Sequence, residues 1–299
     1  MRVVTYNIQW GKGLDERVDL DRIVRTIGDC DIIALQEVER HWRNMNHTDQ
    51  VARLNELMPK HWSVYGIAVD VGMRKPLANG HANNTRRQYG NLILTRWPIS
   101  STRTFPLPNV PVHGHIMDQS MVIEAVVEHP TRPFRVYSTH LNYVSRRQRI
   151  GQCEKILQIV RDAPMEGGPA AGLGVDPEVF GADWMALARD EIPTIPLPAI
   201  LLGDFNMHVG SPEYDVLVGP IDPCYGRLCE TGLFADALTV SGMPEEEGWT
   251  HPGEDKYGKK RIDHIFVTPD LVGTVQRGWI DYDADGSDHL PVFVEMDID

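Results

Sequence analysis

Short apolar runs bounded by turn residues recur along the whole chain, and they are rich in Val, Ile and Leu. Runs of this length and composition predict buried β-strands. The predicted strands span residues 2–8, 32–36, 91–95, 121–127, 135–139, 199–202, 262–267 and 292–295. We therefore expect a β-rich core whose strands are drawn from distant parts of the chain.

Two segments have the helical period instead. Residues 20–27 and 148–160 each place their apolar side chains on one face, at positions three and four apart. Strands outnumber helices, and the helices do not follow every strand. This order favours an α/β fold of two packed sheets with helices outside, and it disfavours a Rossmann or TIM-barrel order.

One long segment, residues 163–198, fits neither pattern. It contains GGPAAGLG and IPTIPLP, with a short predicted helix at 176–190 between them. Compact domains rarely need so long a connection between a helix and a strand. We interpret the chain as a single domain, 1–299, carrying an insertion at about 163–198 that is either a plain surface insertion or a lid.

The composition is that of a soluble enzyme, with 42% hydrophobic and 24% charged residues among 299. No apolar run is long enough to span a bilayer, and the chain opens on a strand pattern without an apolar leader. We therefore expect a cytoplasmic protein. The oligomeric state is left open by the sequence.

The net charge is −13. A broad nucleic-acid-binding surface is normally basic, so this charge argues against one. A small phosphorylated substrate remains compatible with an acidic protein, because a bound cation can supply the missing positive charge.

Polar side chains mark the ends of many predicted strands. They are Asn7, Glu37, His140, Asp204, Asn206, Asp263, Asp288 and His289. Any one of them alone is more often a turn residue, a cap or a surface pair. Residues in loops at strand ends can nevertheless converge on one rim of a rigid scaffold, and we expect these to do so.

The residue types suit metal-assisted phosphoester chemistry. Carboxylates are the ligands that Mg²⁺ and Mn²⁺ prefer, and histidines can donate to a phosphoryl oxygen. The sequence contains no GxxxxGK[ST], GxSxG or HExxH motif. Without an obvious protein nucleophile, direct attack by water is favoured.

Seven stretches give the sequence a family resemblance. In chain order they are TYNIQ, LQEVE, YGNLILTRWPI, STHLN, GDFN, RIDHIFV and SDHLPV. They resemble the motifs of the endonuclease/exonuclease/phosphatase superfamily of DNase I-like phosphoesterases and extend over nearly the whole chain. The resemblance implies a four-layer α/β/β/α sandwich of two packed mixed sheets, with the site at one sheet edge.

The resemblance also implies a role for each matching residue. Asp204 would activate water with Asn206 as its positioning partner, His140 and His289 would hold the phosphate, and Asp263 would orient His289. The implied metal ligands for Mg²⁺ or Mn²⁺ are Glu37, Asn7 and Asp288, and Asn91 of the GN pair would be a supporting substrate contact. Some nucleases of the family pair the first histidine with a glutamate, for which the sequence between Tyr65 and Tyr89 offers no clear candidate.

Basic residues cluster beside the site motifs. The clusters are Arg74, Lys75, Arg86 and Arg87; Arg146, Arg147 and Arg149; and Lys256, Lys259, Lys260 and Arg261. They are either ordinary solvated charge or a basic rim that steers an anionic substrate. Trp10 and Trp42 follow the first two site motifs closely, so we predict that they contact substrate, as does Arg149.

These observations favour hydrolysis of a small phosphorylated molecule or a lipid headgroup, as a phosphodiesterase or phosphatase. The first alternative is an endonuclease or exonuclease on DNA or RNA, whose activity would fall steeply with salt. The second is a catalytically silent binding protein on the same fold, which should lack some motif residues. Glu37, Asp204, Asn206, Asp263 and His289 are all present.

Overall fold

The computed structural model describes residues 1–114, 116–169, 192–253 and 258–298. Its first sheet has the strand order β13-β14-β1-β2-β4-β3, and the second has the order β11-β12-β8-β7-β6-β5. The strands of the first sheet are β1 (Arg2–Asn7), β2 (Ile32–Arg40), β3 (Trp62–Gly72), β4 (Arg86–Thr95), β13 (Val275–Ile280) and β14 (Val292–Met296). Those of the second are β5 (Ile99–Pro106), β6 (Met121–Val127), β7 (Phe134–His140), β8 (Ala199–Asp204), β11 (Ala235–Asp236) and β12 (Asp263–Val267).

Both sheets are mixed. The β1–β2 and β7–β8 pairs are parallel, and the other strand pairs within these two sheets are antiparallel. A separate two-stranded ribbon pairs β9 (Ile221–Asp222) with β10 (Gly226–Arg227). The expected α/β fold of two packed mixed sheets is confirmed.

The helices lie outside the two sheets. They are α1 (Leu20–Ile27), α2 (Gln50–Leu57), α3 (Arg146–Glu166), α4 (Pro212–Val218) and α5 (Ala237–Val240), with short 3₁₀ turns at Gln9–Gly11, Arg43–Met45 and Pro269–Thr274. No helix in the described part of the chain is long and apolar enough to cross a bilayer. The first predicted helix matches α1, whereas the second is longer at both ends.

Three apolar clusters build the layers. The central one joins facing strands of the two sheets, through residues such as Ile32 and Val294 on one side and Ile123 and Leu202 on the other. A second cluster packs α3 and α4 on the outer face of the second sheet. The third packs α1 and α2 on the outer face of the first. The order of layers is therefore helix, sheet, sheet, helix.

Predicted and observed elements differ mainly at the sheet edges. The strands β3, β5 and β13 were not predicted, and each lies at the edge of its sheet. An edge strand is only half covered, so its apolar pattern is weak, as the mixed burial of these three strands shows.

Helix α3 overlaps the first residues of the segment predicted as an insertion. Helix α3 continues to Glu166, past the predicted start at residue 163. The helix predicted at 176–190 lies outside the described residues.

Candidate active site

Three site residues are direct neighbours across the second sheet. His140 ends β7 and pairs with Asp204 at the end of β8, which in turn pairs with Asp263 at the start of β12. In the first sheet, Asn7 ends β1 opposite Gln36, which directly precedes Glu37. The ends of both sheets thus meet at one rim, and the polar residues from distant motifs lie there together.

Asp204 is the centre of this group. Its Oδ2 accepts a hydrogen bond from Asn7 Nδ2 at 3.0 Å and lies 3.4 Å from His140 Nε2 and 3.7 Å from His289 Nε2. Its Oδ1 accepts from the backbone N–H of Asn206 at 2.9 Å. Burial opposes ionisation, but the imidazoles of His289 and His140 outweigh it and lower the pKa of Asp204. Asp204 is therefore a buried carboxylate, suited to accept a proton from water.

His289 is held by a second carboxylate. Its Nδ1 lies 2.8 Å from Oδ2 of Asp263, and its backbone N–H donates to Ser287 Oγ at 3.2 Å. Burial alone would lower the pKa of His289, but Asp263 and Asp204 outweigh it and raise this pKa to about 10. At neutral pH His289 is an imidazolium, whose Nε2 can donate to a phosphoryl oxygen.

His140 has a different partner, which sequence reasoning missed. The phenol oxygen of Tyr89 lies 3.3 Å from His140 Nδ1 and occupies the place where a glutamate was sought. Burial and the charge of Glu37 raise the pKa of Tyr89, so the phenol stays protonated and can donate to Nδ1. This contact favours the tautomer with its proton on Nε2, facing Asp204. Tyr89 belongs to the YGNLIL motif noted in the sequence, but nothing in the sequence indicates that it contacts His140.

We expect Tyr89→Phe to lower kcat about five- to tenfold, because it removes one hydrogen bond worth about 1 kcal/mol. KM and the thermal unfolding midpoint should change little, since the aromatic ring remains in place. Steady-state kinetics measure the effect, with Tyr225→Phe, at an 89% exposed tyrosine, as the matched control. An unchanged kcat would show that Tyr89 does not position His140.

Two site residues have left-handed backbone conformations. Glu37 has a φ of +59° and Asn206 a φ of +50°, values that are uncommon for residues other than glycine. The pairing of β2 with β4 shifts register between Leu35 and Val38, and this irregularity turns Glu37 toward the rim. Asn206 is fixed by donation from its Nδ2 to the Leu141 carbonyl at 3.0 Å. Such strain at a polar rim is typical of functional sites.

A group of carboxylate and amide oxygens that could hold a cation lies on the first-sheet side of the rim. Asn7 Nδ2 donates to Glu37 Oε1 at 3.1 Å and also contacts Asp204, so the two carboxylates share one amide. The Glu37 side chain is enclosed by protein apart from its cavity face, and burial raises its pKa. A divalent cation would relieve the cost of burying this charge. Asp288 is half-buried and accepts from Gln9 Nε2 at 2.8 Å.

A second grouping of possible ligands overlaps with the first. Ligand atoms of Asp204, Asp263 and His289 all lie within 4.8 Å of one another, so these residues could also hold a metal ion. However, His289 Nδ1 already lies 2.8 Å from Asp263 Oδ2, so this contact occupies two of the atoms that would face a metal ion. The hard oxygens around Glu37 therefore fit a divalent cation better.

Two cavities open at the rim, and both are lined by Tyr143, Asn206 and His289. The first, which we call the aromatic cavity, measures about 420 Å³. Its other lining residues are Trp10, Glu37, Glu39, Trp42, Val69, Tyr89, Ile116, Met117, Asp118, His140 and Asp204. The second, which we call the basic cavity, measures about 870 Å³. Its other lining residues are Arg146, Arg149, His208, Val209, Glu245, Glu246, Gly248, His251, Gly253, Lys259, Lys260, Arg261 and Ile262.

The predicted substrate contacts are placed unevenly. Trp10 and Trp42 both line the aromatic cavity, where a ring could stack on them. Arg149 lines the basic cavity, but its guanidinium donates to Glu213 at 2.9 and 3.0 Å and to the Asn142 carbonyl at 3.0 Å. These contacts suit a residue that holds the 142–143 loop in place better than one that binds substrate. Asn91 is buried in β4 and lines neither cavity as described.

His251 is a second residue that the sequence did not single out. Its ring lies 4.7 Å from that of His289, and its Nε2 is 3.9 Å from Asp288 Oδ2. Burial and the charge of His289 lower the pKa of His251. It is thus a neutral imidazole beside a charged one. The surrounding sequence, WTHP, matches no motif of characteristic spacing, so it gave no sign that His251 lies at this site.

The fold and this rim define a class of protein. Two packed mixed sheets, with a buried carboxylate and two histidines at their common edge, form the scaffold and site of a phosphoester hydrolase. The sequence model of the Endonuclease/Exonuclease/phosphatase family matches residues 4–289, and the chain belongs to that family. Its members hydrolyse phosphoester bonds and generally depend on a divalent metal. No curated protein matches the chain significantly.

Solved structures show the same fold at low identity. An endonuclease/exonuclease/phosphatase from Beutenbergia cavernae is 21% identical with a TM-score of 0.61, over 99% of this chain and 71% of that one. The mannosyl-6-phosphatase Bt3783 of Bacteroides thetaiotaomicron is 19% identical with a TM-score of 0.59, over 99% of both chains. D. rerio TDP2, complexed with single strand DNA product, is 14% identical with a TM-score of 0.60, over 99% and 98%.

Proposed function

We propose that this protein hydrolyses a small phosphorylated molecule or a lipid headgroup by direct attack of water, with Mg²⁺ or Mn²⁺ as its cofactor. The observation that carries the proposal is the position of Asp204, a buried carboxylate within 3.7 Å of two histidines from distant segments of the chain. A base and two donors around one point are what transfer of a phosphoryl group to water requires.

Each residue takes a role from its contacts. Asp204 accepts the proton of the attacking water, and Asn206, fixed to the Leu141 carbonyl, positions that water. His289 and His140 donate from Nε2 to the phosphoryl oxygens as negative charge develops there, and Asp263 keeps His289 oriented. These roles require positioning and fixed charge, with no covalent intermediate on the protein.

The metal site proposed here consists of Glu37, Asn7 and Asp288. When bound, a divalent cation polarises the phosphoryl group and lowers the pKa of water. Of the chain's own residues, Glu37 supplies a half-buried carboxylate, and Asn7 holds it in place against Asp204. Carboxylate and amide oxygens favour Mg²⁺ or Mn²⁺ over softer ions.

The lining of the rim supports attack by water. Neither cavity, among the described residues, is lined by a serine, threonine or cysteine that could serve as nucleophile. The cavities also have the size of small-molecule sites, at about 420 and 870 Å³. The net charge of −13 fits a compact substrate better than a long polyanion.

A nuclease is the second candidate. D. rerio TDP2, which shares the fold, was solved with a single strand DNA product. Trp42 offers a stacking surface at the aromatic cavity, with the Arg87 guanidinium 5.3 Å from its ring centre. This candidate predicts that oligonucleotides outcompete small esters and that activity falls steeply with salt.

A substrate screen tests the proposal. Phosphomonoesters, small phosphodiesters, phospholipids and oligonucleotides are assayed with Mg²⁺ and Mn²⁺ at two salt concentrations. We expect a small ester or a headgroup to give the highest kcat/KM, with weak dependence on salt. A clear preference for oligonucleotides, with steep salt dependence, would favour the nuclease. No hydrolysis in any class would contradict the proposed function.

Metal removal tests the cofactor. We expect EDTA to abolish turnover and added Mg²⁺ or Mn²⁺ to restore it, because the Glu37 carboxylate then regains its counter-charge.

Glu37→Gln should raise the metal concentration for half-maximal activity by at least about tenfold, a loss of about 1.4 kcal/mol in binding. Full activity in EDTA would exclude a metal role, and Glu56→Gln, at an exposed glutamate, is the matched control.

A further inference from the structure

The basic cavity differs in charge from the rest of the protein. In the part of the chain that the structure describes, its lining contains five lysines and arginines and two glutamates, on a chain whose net charge is −13. The cations come from two separate segments, at the start of α3 and directly before β12. Two of the basic clusters noted in the sequence thus meet in one place, beside the catalytic rim.

Part of this charge is balanced within the protein. Arg261 is buried against Asp236 at 3.3 Å, and Arg149 is bound to Glu213 at 2.9 Å. Glu245 is likewise bound to an arginine, Arg227, at 2.5 Å. These pairs fix the walls of the cavity and offer little to a ligand.

Other cations face solvent at the cavity. Arg146 is exposed, and its only ion pair in the described chain is a 3.4 Å contact with Glu213, a carboxylate already bound to Arg149. The exposed Lys259 places its ammonium over the Trp249 ring, 3.9 Å from the centre. The ring carries no negative charge that would neutralise the ammonium. Among the described lining residues, the positive charge therefore exceeds what the acids neutralise.

The basic cavity opens onto the reacting centre. His289 and Asn206 line both cavities, so a group attached to a phosphate at the rim can reach the basic cavity. We propose that the basic cavity binds a second phosphoryl group of the same substrate, through Arg146 and Lys259. This proposal rests on the proposed function and narrows it to small esters that carry two phosphates. A planar guanidinium matches phosphate oxygens well, and a lysine adds a point charge.

Matched pairs of substrates test the proposal. Adenosine 3′,5′-bisphosphate is compared with adenosine 5′-monophosphate, and fructose 1,6-bisphosphate with fructose 6-phosphate. Each pair differs only in a second phosphate. We expect the bisphosphate of at least one pair to exceed its partner at least about tenfold in kcat/KM, the effect of one charge-assisted contact. In the Arg146→Gln/Lys259→Gln variant the ratio should fall close to one.

The control variant is Lys60→Gln, at an exposed lysine that lines neither cavity, and it should keep the wild-type ratio. Equal kcat/KM within both pairs, or a ratio that the double variant leaves unchanged, would overturn the proposal. If none of the four compounds is turned over, their dissociation constants for the Asp204→Asn variant, measured by calorimetry, give the same comparison. Tighter binding of a bisphosphate than of its partner would then support the cavity, and equal binding within both pairs would overturn it. The proposed function itself is decided by the wider substrate screen.

Discussion

Replacing Asp204 by asparagine is expected to lower kcat by about 10² to 10⁴-fold, the range for loss of a general base. The side chain keeps its shape, so the contact between its Oδ1 and the Asn206 N–H can persist. What is lost is the negative charge at Oδ2, where His140 and His289 converge. KM should change less than kcat, because the base acts mainly in the transition state.

Steady-state kinetics with the best substrate of the screen measure this loss. Circular dichroism and thermal unfolding establish that the variant is folded. Asp297→Asn, an exposed aspartate near the chain end, is the matched substitution and should retain wild-type turnover. Wild-type kcat in a folded Asp204→Asn protein would remove Asp204 from the reaction and the proposed mechanism with it.

Replacing His289 by alanine is expected to lower kcat by about 10² to 10³-fold, the typical loss for one preorganised donor. Asp263→Asn should lower kcat by less, because the His289 donor remains and only its orientation and charge are weakened. In the Asp263→Asn/His289→Ala double variant, the decrease in kcat should hardly exceed that of His289→Ala alone, because Asp263 acts through His289. If the fold decreases in kcat of the two single variants simply multiply in the double variant, the two residues act independently. The control is His81→Ala, at an exposed histidine.

The pH profile gives an independent readout of this pair. The protonated imidazole of His289 is the donor, so activity that depends on it is present below its pKa of about 10 and is lost as pH rises through that value. Asp263 is the strongest influence raising this pKa. Asp263→Asn should therefore move the loss of activity to lower pH. An unchanged alkaline limb in the variant would contradict the assignment.

The sequence was most informative where strands end. His140, Asp204 and Asp263 each follow or begin an apolar run, and their convergence was predicted because strand ends share one edge of a sheet. The central strands were also predicted well, since burial on both faces leaves continuous Val, Ile and Leu. These features depend on local pattern and general rules of sheet geometry, which a sequence carries directly.

The remaining features depend on contacts between distant segments. The hydrogen bond between Tyr89 and His140 joins β4 of one sheet to β7 of the other. No pattern in the sequence of either strand predicts it. Arg149 was predicted to contact substrate, and nothing in the sequence indicates that its guanidinium binds Glu213, 64 positions away. The strands β3, β5 and β13 were missed because edge positions impose no strict alternation. In each case the deciding partner is set by tertiary packing.

The rim takes Asn7 and Glu37 from one sheet and His140, Asp204 and Asp263 from the other. The distances among these groups therefore depend on how the two layers are seated on their shared apolar interior. An offset of about 1 Å at a reacting centre can cost about a hundredfold in rate. A substitution between the layers, at Ile32 or Leu202 for instance, can thus abolish turnover while the protein stays folded. The kcat is therefore more sensitive to the alignment of the two sheets than the thermal unfolding midpoint is.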